Sequence, residues 1–217
     1  MAKPPEYNEN YVHSCDSEKV EIVVYKKNLS DSSSDVYTNE QFRLIIDYYV
    51  SKAPVLKNDA KSDGFGLRSL AEIGWKGSGA LGKLERELIK AAELTLVFIR
   101  SDSIANTIAS MDLDLKICCE HPRGVLKQGF KLKAKENGQI ETTNSEKRME
   151  CLFRHIRNSL AHGRTYIFNN GAIMLEDLDE NGTLSARLLL KAQSLIDWME
   201  IIDNPANYLN SRQNQQQ

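Results

Sequence analysis

The densest run of chemically capable side chains is Phe153-Arg-His-Ile-Arg-Asn-Ser-Leu-Ala-His-Gly163. Arginine grips an anion through a planar fork of donors, and histidine moves a proton near neutral pH. Arg154, His155, Arg157, Asn158 and His162 lie together in this one stretch, a set suited to holding a phosphate. At about 100° per residue, an apolar stripe centred on Ile156 and Leu160 places Arg154, Asn158 and His162 on the opposite face of a helix. His155 falls beside them and Arg157 at the edge of the stripe. A plainer account also fits: polar helix faces are commonly solvated, and a histidine before Gly163 favours the helix end through its charge.

Two other patterns carry less. Gly77-Ser-Gly-Ala-Leu-Gly82-Lys83-Leu84 satisfies both glycine-rich phosphate patterns, G-x-x-x-x-G-K and G-x-G-x-x-G. The first needs Ser or Thr after the lysine to hold Mg²⁺, and Leu84 stands there; both need a buried strand just before. No alternation of strands and helices is evident to house either, so the expectation is a loop leading into a helix. Cys118-Cys-Glu-His121 is short of the four converging ligands zinc takes. No cofactor and no metal are expected.

The elements that must position the polar stretch read as follows. Val20–Tyr25 spells one strand inside an N-terminal arm, residues 1–36, whose end is Ser- and Asp-rich. Thr38 with Gln41 three residues on forms a capping box for a helix that Pro54 stops. Residues 57–79 read as a loop. The pattern predicts a long helix from about Gly79 to Met111, with Leu94–Ile99 as its buried middle and a break near Ser101–Ser103. Residues 112–142 read as a connector whose Arg123, Lys127, Lys131, Lys133 and Lys135 form a basic row.

Thr143-Asn-Ser-Glu146 is a second capping box, and Met149, Leu152, Phe153, Ile156 and Leu160 keep helical spacing. Gly163 closes that helix as a left-handed cap. Then Thr165–Phe168, Asn169-Asn-Gly171 and Ala172–Leu175 spell a β-hairpin, with a third strand near Arg187–Leu190. A final helix over Ala192–Ile202 ends at Asn204-Pro205. The expected fold is mainly α, a helical bundle with a small β-hairpin after the polar helix. Its boundaries are an arm at 1–36, a domain at 37–204 and a disordered tail at 205–217.

The 217 residues carry 28 Lys+Arg against 30 Asp+Glu, a net charge of −2, which argues against a general coating of nucleic acid but not against a local basic cleft. The four cysteines, Cys15, Cys118, Cys119 and Cys151, have no CxxC spacing, which fits a reducing, cytoplasmic setting. The first residues lack a signal-peptide core, and Leu94–Ile99 is too short to span a membrane.

Arg157-Asn-Ser-Leu-Ala-His162 resembles the R-x4–6-H motif of HEPN-domain ribonucleases. Arg148 and His155 fit the bare pattern too; what sets the Arg157–His162 match apart is its place at the end of a well-patterned helix, before a Gly, a hairpin and a short final helix. The string Arg154–Gly163, with Leu195-Ile-Asp-Trp-Met-Glu-Ile-Ile202, is similar to HEPN proteins of plasmids and defence loci over about residues 143–203. Toxins of that family often carry a Tyr two residues after the motif His, where a nucleotidyltransferase antitoxin modifies them. Here that position is Arg164, and the nearest tyrosine is Tyr166.

The resemblance implies a HEPN-like helical bundle and a metal-independent endoribonuclease, a toxin or anti-phage effector. In it the ribose 2′-OH attacks its own 3′-phosphate and leaves a 2′,3′-cyclic phosphate. His162 would be the general acid or base, Arg157 would stabilise phosphoryl charge, and Asn158 would orient His162 or the phosphate. Arg154, His155 and Arg164 would contact RNA. RNA, a second copy of the chain, and an antitoxin or regulator are the implied partners. The alternative is a non-catalytic module of the same type that binds RNA or nucleotides or dimerises; an ATPase-like protein using Gly77–Lys83 is a third.

Overall fold

A computed structural model describes residues 22–25, 37–55, 68–100, 104–111, 113, 121–135, 139–168 and 171–209. In chain order the elements are β1 (Ile22–Tyr25), α1 (Asn39–Ile46) continued by a π-helical turn (Asp47–Ser51), β2 (Pro54–Val55), β3 (Arg68–Ser69), α2 (Leu70–Ile73), α3 (Gly77–Ala91), β4 (Thr95–Ile99) and α4 (Ile104–Ser110). There follow β5 (Arg123–Lys127), β6 (Phe130–Ala134), β7 (Ile140–Asn144), α5 (Arg148–Ala161), β8 (Thr165–Phe168), β9 (Ala172–Leu178), β10 (Leu184–Lys191), α6 (Gln193–Asp203) and α7 (Pro205–Leu209).

The centre is a six-stranded mixed sheet in the order β1-β8-β9-β10-β5-β4, which overturns the expected mainly α bundle. The hairpin after Gly163 is not an appendage but the middle of this sheet. Every residue of β8 is buried, and so is β9 from Ala172 to Asp177. Alternation sends Ile167, Ile173, Leu175, Leu188 and Leu190 to the larger core, where Phe42, Leu84, Leu88, Ile156 and Trp198 meet them. Tyr166, Phe168, Met174 and Leu189 face the other way, against Ile104 and Ile108 of α4. A sheet buried on both faces writes near-continuous apolar strands, which is why period-2 alternation is faint in this region.

Several expectations along the chain change. Residues 95–99 are not the middle of a helix but β4, paired parallel with β5. Thr-Leu-Val-Phe-Ile is rich in β-branched and aromatic side chains, and so short an apolar run has no period that separates strand from helix. The preceding helix ends in a Schellman turn: Leu94 N–H donates to Ile89 O at 2.9 Å and Glu93 N–H to Lys90 O at 3.2 Å. Glu93 takes the left-handed position at φ 50°, so the glycine that usually announces such an end is missing. With α4 between them, β4 and β5 form a strand–helix–strand crossover that the sequence reading did not anticipate.

The connector at 112–142 holds β5, β6 and most of β7; the alternation in Phe130-Lys-Leu-Lys-Ala134 is the pattern of its strand. The capping box at Thr143–Glu146 does not form, because Ile140–Asn144 is a strand paired with β6. The helix starts at Arg148, and Lys147 N–H donates to Glu150 Oε2 at 3.2 Å. Within 57–79, residues 68–69 are β3, 70–73 are α2, and Gly77–Lys83 are the first turns of α3 rather than a phosphate loop. What precedes them is a short helix, not a buried strand.

Some expectations stand and one at the end of the chain does not. Thr38 and Gln41 form their reciprocal box, with hydrogen bonds of 3.1 and 2.9 Å. β1 lies within the expected strand and pairs antiparallel with β8, so the arm contributes the edge of the sheet. Pro205–Leu209 is helical where a tail is expected, and the Tyr208 ring sits 6.3 Å from that of Trp75. Residues 210–217, Cys15, Cys118 and Cys119 lie outside the described residues. Helix α6 is held by side-chain donors to its carbonyls: Tyr37 to Ala192 O, Tyr49 to Leu195 O at 2.7 Å and Trp75 to Ile202 O at 2.8 Å. Among the described residues, no helix is long and apolar enough to cross a membrane.

Candidate functional site

Helix α5 is set down on the sheet by its stripe: Met149, Leu152, Phe153, Ile156 and Leu160 are all buried, as their spacing requires. Its end is closed by a second Schellman turn, Gly163 N–H to Leu160 O at 3.2 Å and Arg164 N–H to Ser159 O at 2.8 Å. Gly163 sits at φ 64°, the left-handed position where a Cβ is costly. The polar residues of α5 divide into two groups.

The first group turns inward. His155 is completely buried, so it belongs to the packed face rather than beside the solvated one. Its Nδ1 lies 2.7 Å from Oδ2 of Asp177 on β9. Its Nε2 lies 2.9 Å from the Lys127 carbonyl and 3.1 Å from Nη2 of Arg154. A carboxylate and a carbonyl accept, so Nδ1 donates to Asp177 and Nε2 faces an acceptor and a donor at once. Asn158 Nδ2 donates to the same Oδ2 at 3.1 Å. Arg154 makes a two-pronged pair with Glu146, Nε to Oε2 at 2.9 Å and Nη2 to Oε1 at 2.6 Å. Gly129 N–H also donates to Glu146 Oε1 at 2.6 Å.

Burial alone would push the Glu146 carboxyl up; the hydrogen bonds from Arg154 and Gly129, with the Arg154 charge, outweigh it and hold Glu146 below its ordinary 4.5. Burial lowers Arg154 in turn, and Glu146 more than offsets it. Beside them the Cys151 thiol is pushed well up, by burial first and by the Glu146 charge second, which makes it an unreactive core group. This cluster ties α5 to the β5–β6 connection and to β9.

The second group turns outward. His162 is the exposed C-cap of α5, while Arg157 and Arg164 are half-buried near the same end. Of the six residues singled out from sequence, Arg154, His155 and Asn158 line one cavity of about 450 Å³; Arg157, His162 and Arg164 do not. The arrangement thus separates a buried polar network from a helix end at which His162 is exposed.

No family model, curated protein or solved structure matches this chain. Residue chemistry therefore carries the reading of the site.

Asp177 and Glu146 escape the sequence reading. Asp177 is only 2% exposed, and in Ala172-Ile-Met-Leu-Glu-Asp-Leu178 the two acids look like the end of the strand, whereas β9 runs through them. Period-2 counting from Ile173 and Leu175 would have put Asp177 on the face toward α5. Glu146 reads as a capping residue but serves as the counter-ion of Arg154. The neighbour of Asp177 in β9, Glu176, is likewise paired across the sheet, with Arg187 Nε at 2.6 Å. Among the described residues, no group of three or more His, Cys, Asp or Glu is arranged to hold a metal ion. Of the Cys118–His121 pattern only His121 lies within them.

Proposed function

We propose that the chain is a metal-independent endoribonuclease whose chemistry sits at the C-terminal end of α5. The observation that carries this reading is the exposed His162, held at a rigid helix end with Arg157 one and a half turns before it and Arg164 two residues after. The ribose 2′-OH attacks its own 3′-phosphate, and the bond to the 5′-oxygen of the next nucleotide breaks. His162 moves the proton, and Arg157 stabilises charge on the phosphoryl oxygens. RNA reaches this end because none of the described residues buries His162. Arg154 and His155 are committed to Glu146 and Asp177, so they stiffen the helix more than they grip phosphate. Asn158 bonds to Asp177 and orients the helix rather than His162.

The likeness to HEPN ribonucleases over the motif supports the activity, and it carries with it a homodimer with two motif helices sharing one cleft. A toxin or defence role, with an antitoxin or regulator as partner, follows from the same likeness. The second reading, a binding module without catalysis, draws on the buried network: half of the candidate residues serve the fold.

Incubation with RNA in EDTA decides between them. Cleavage that leaves a 2′,3′-cyclic phosphate and a 5′-OH, and that spares substrate with deoxyribose at the cut site, supports the nuclease. Binding without cleavage leaves the module.

A further inference from the structure

The cavity beside α5 has the wrong charge for phosphate. Asp177, Asp179 and Glu180 line it against Lys127 and Arg154, and Arg154 is already paired with Glu146. It has the right groups for a base. Asp177, 2% exposed, forms part of its wall, and Oδ1 of that carboxylate is a buried acceptor that meets no donor and that a ligand reaches only by a small shift of the wall. An unmet carboxylate oxygen in such a place asks for an N–H from outside. Phe130 is half-buried in the same wall and supplies an aromatic ring, and the Arg154 side chain keeps 40% of its surface exposed.

We infer that this cavity is a guanine subsite: the base inserts with its N1–H and N2–H₂ edge toward Asp177 Oδ1 and its acidic neighbours, and stacks on Phe130. Guanine is the base that presents adjacent donors on that edge and an acceptor, O6, for a guanidinium such as Arg154. Adenine and uracil each offer a single donor there. About 450 Å³ is ample for a purine. The inference rests on the nuclease reading for its setting, since it makes the cavity the specificity pocket of the same helix. Asn158 lines the cavity and His162 lies four residues further along α5, about 6 Å at the helical rise. A base held at Asn158 is thus within a nucleotide's length of His162.

Nucleosides test this without any cleavage. Guanosine, inosine, adenosine, cytidine and uridine are titrated separately into the full chain, with binding read by calorimetry and by ligand-observed NMR. Guanosine should bind best, and inosine, which lacks the N2 amine, about tenfold or more weaker, as the loss of a hydrogen bond to a charged group implies. Phe130→Ala should weaken guanosine by about fivefold or more while the fold, read by circular dichroism, stays intact. Asp177→Asn should remove the preference for guanosine over inosine wherever that variant remains folded. Equal binding of all five nucleosides, or no guanosine binding at millimolar concentration, overturns the inference. Guanosine binding by a chain that cuts no RNA upholds the subsite and removes the nuclease. RNA cutting with no preference for guanosine 5′ to the cut, by a chain that binds no guanosine, does the reverse.

Discussion

Nδ1 of His155 and Oδ2 of Asp177, twenty-two residues apart in sequence, meet at 2.7 Å with both side chains buried. The same oxygen accepts from Asn158 Nδ2 at 3.1 Å and has Arg154 Nη1 at 3.8 Å. One carboxylate thus answers two donors of α5 and faces the charge of a third side chain. Asp177→Ala should cost about 3–5 kcal/mol, because truncating one partner leaves the others buried and unanswered. Denaturant unfolding of the variant and the parent measures it. A loss under 1 kcal/mol would mean the network is not what holds α5 to β9.

Glu146 gives the network an acid limit. Its carboxyl is held below 4.5 in the fold, so the folded state binds that proton less readily than the unfolded chain. The stability contributed is present above about pH 4.5 and is lost as pH falls through the lower folded value. Glu146→Gln should be less stable than the parent at pH 7, by about 1.5–3 kcal/mol if the charged hydrogen bonds carry their usual weight. The gap should narrow as pH drops below 4.5. Melting curves of both proteins from pH 7 to pH 3 give the comparison, and parallel curves would sink the assignment.

His162 and Leu160 lie two residues apart and should behave oppositely. Leu160 is 1% exposed, and Leu160→Ala should cost about 2–5 kcal/mol of stability. His162→Ala should cost only about 0.3–1 kcal/mol, the worth of a helix-end charge. Under the proposed chemistry it should also lose about 10²–10⁴ in cleavage rate. Unchanged cleavage by His162→Ala would move the chemistry elsewhere.

Glu93 holds a left-handed backbone at φ 50° in the turn that ends α3. A residue with a Cβ pays about 1–2 kcal/mol there, part of which glycine's larger unfolded-state freedom takes back. Glu93→Gly should stabilise the protein by up to about 1 kcal/mol, while Gly163→Ala, at φ 64°, should destabilise it by a similar amount. Thermal melts of the two variants check the pair, and equal signs would contradict the turn geometry.

Gly124 marks a close approach inside the sheet. A Cβ there would run into Leu188 Cδ2 and lie 3.1 Å from Leu96 Cδ1. Gly124→Ala should therefore cost about 1–3 kcal/mol from overpacking, and Leu188→Val in the same chain should recover part of it. A double-mutant cycle in denaturant measures the coupling; additive losses would show that the two side chains do not compete for one space.

By itself, the sequence determined what local chemistry determines. Thr38 and Gln41 name their own helix start, Gly163 its own helix end, and the apolar spacing from Met149 to Leu160 names the buried stripe of α5. Such signals need only neighbours within four residues, whose geometry the backbone sets. The tertiary structure decided what depends on distant partners. Thr95–Ile99 has no period to show that it is a strand; it is one because β5, more than twenty residues on, supplies its hydrogen bonds. His155 looks solvated on a helical wheel and is buried because Asp177 and the Lys127 carbonyl reach it from other elements. A charged group enters a core only when its counter-group arrives with it, and that arrival is a property of the fold rather than of the segment.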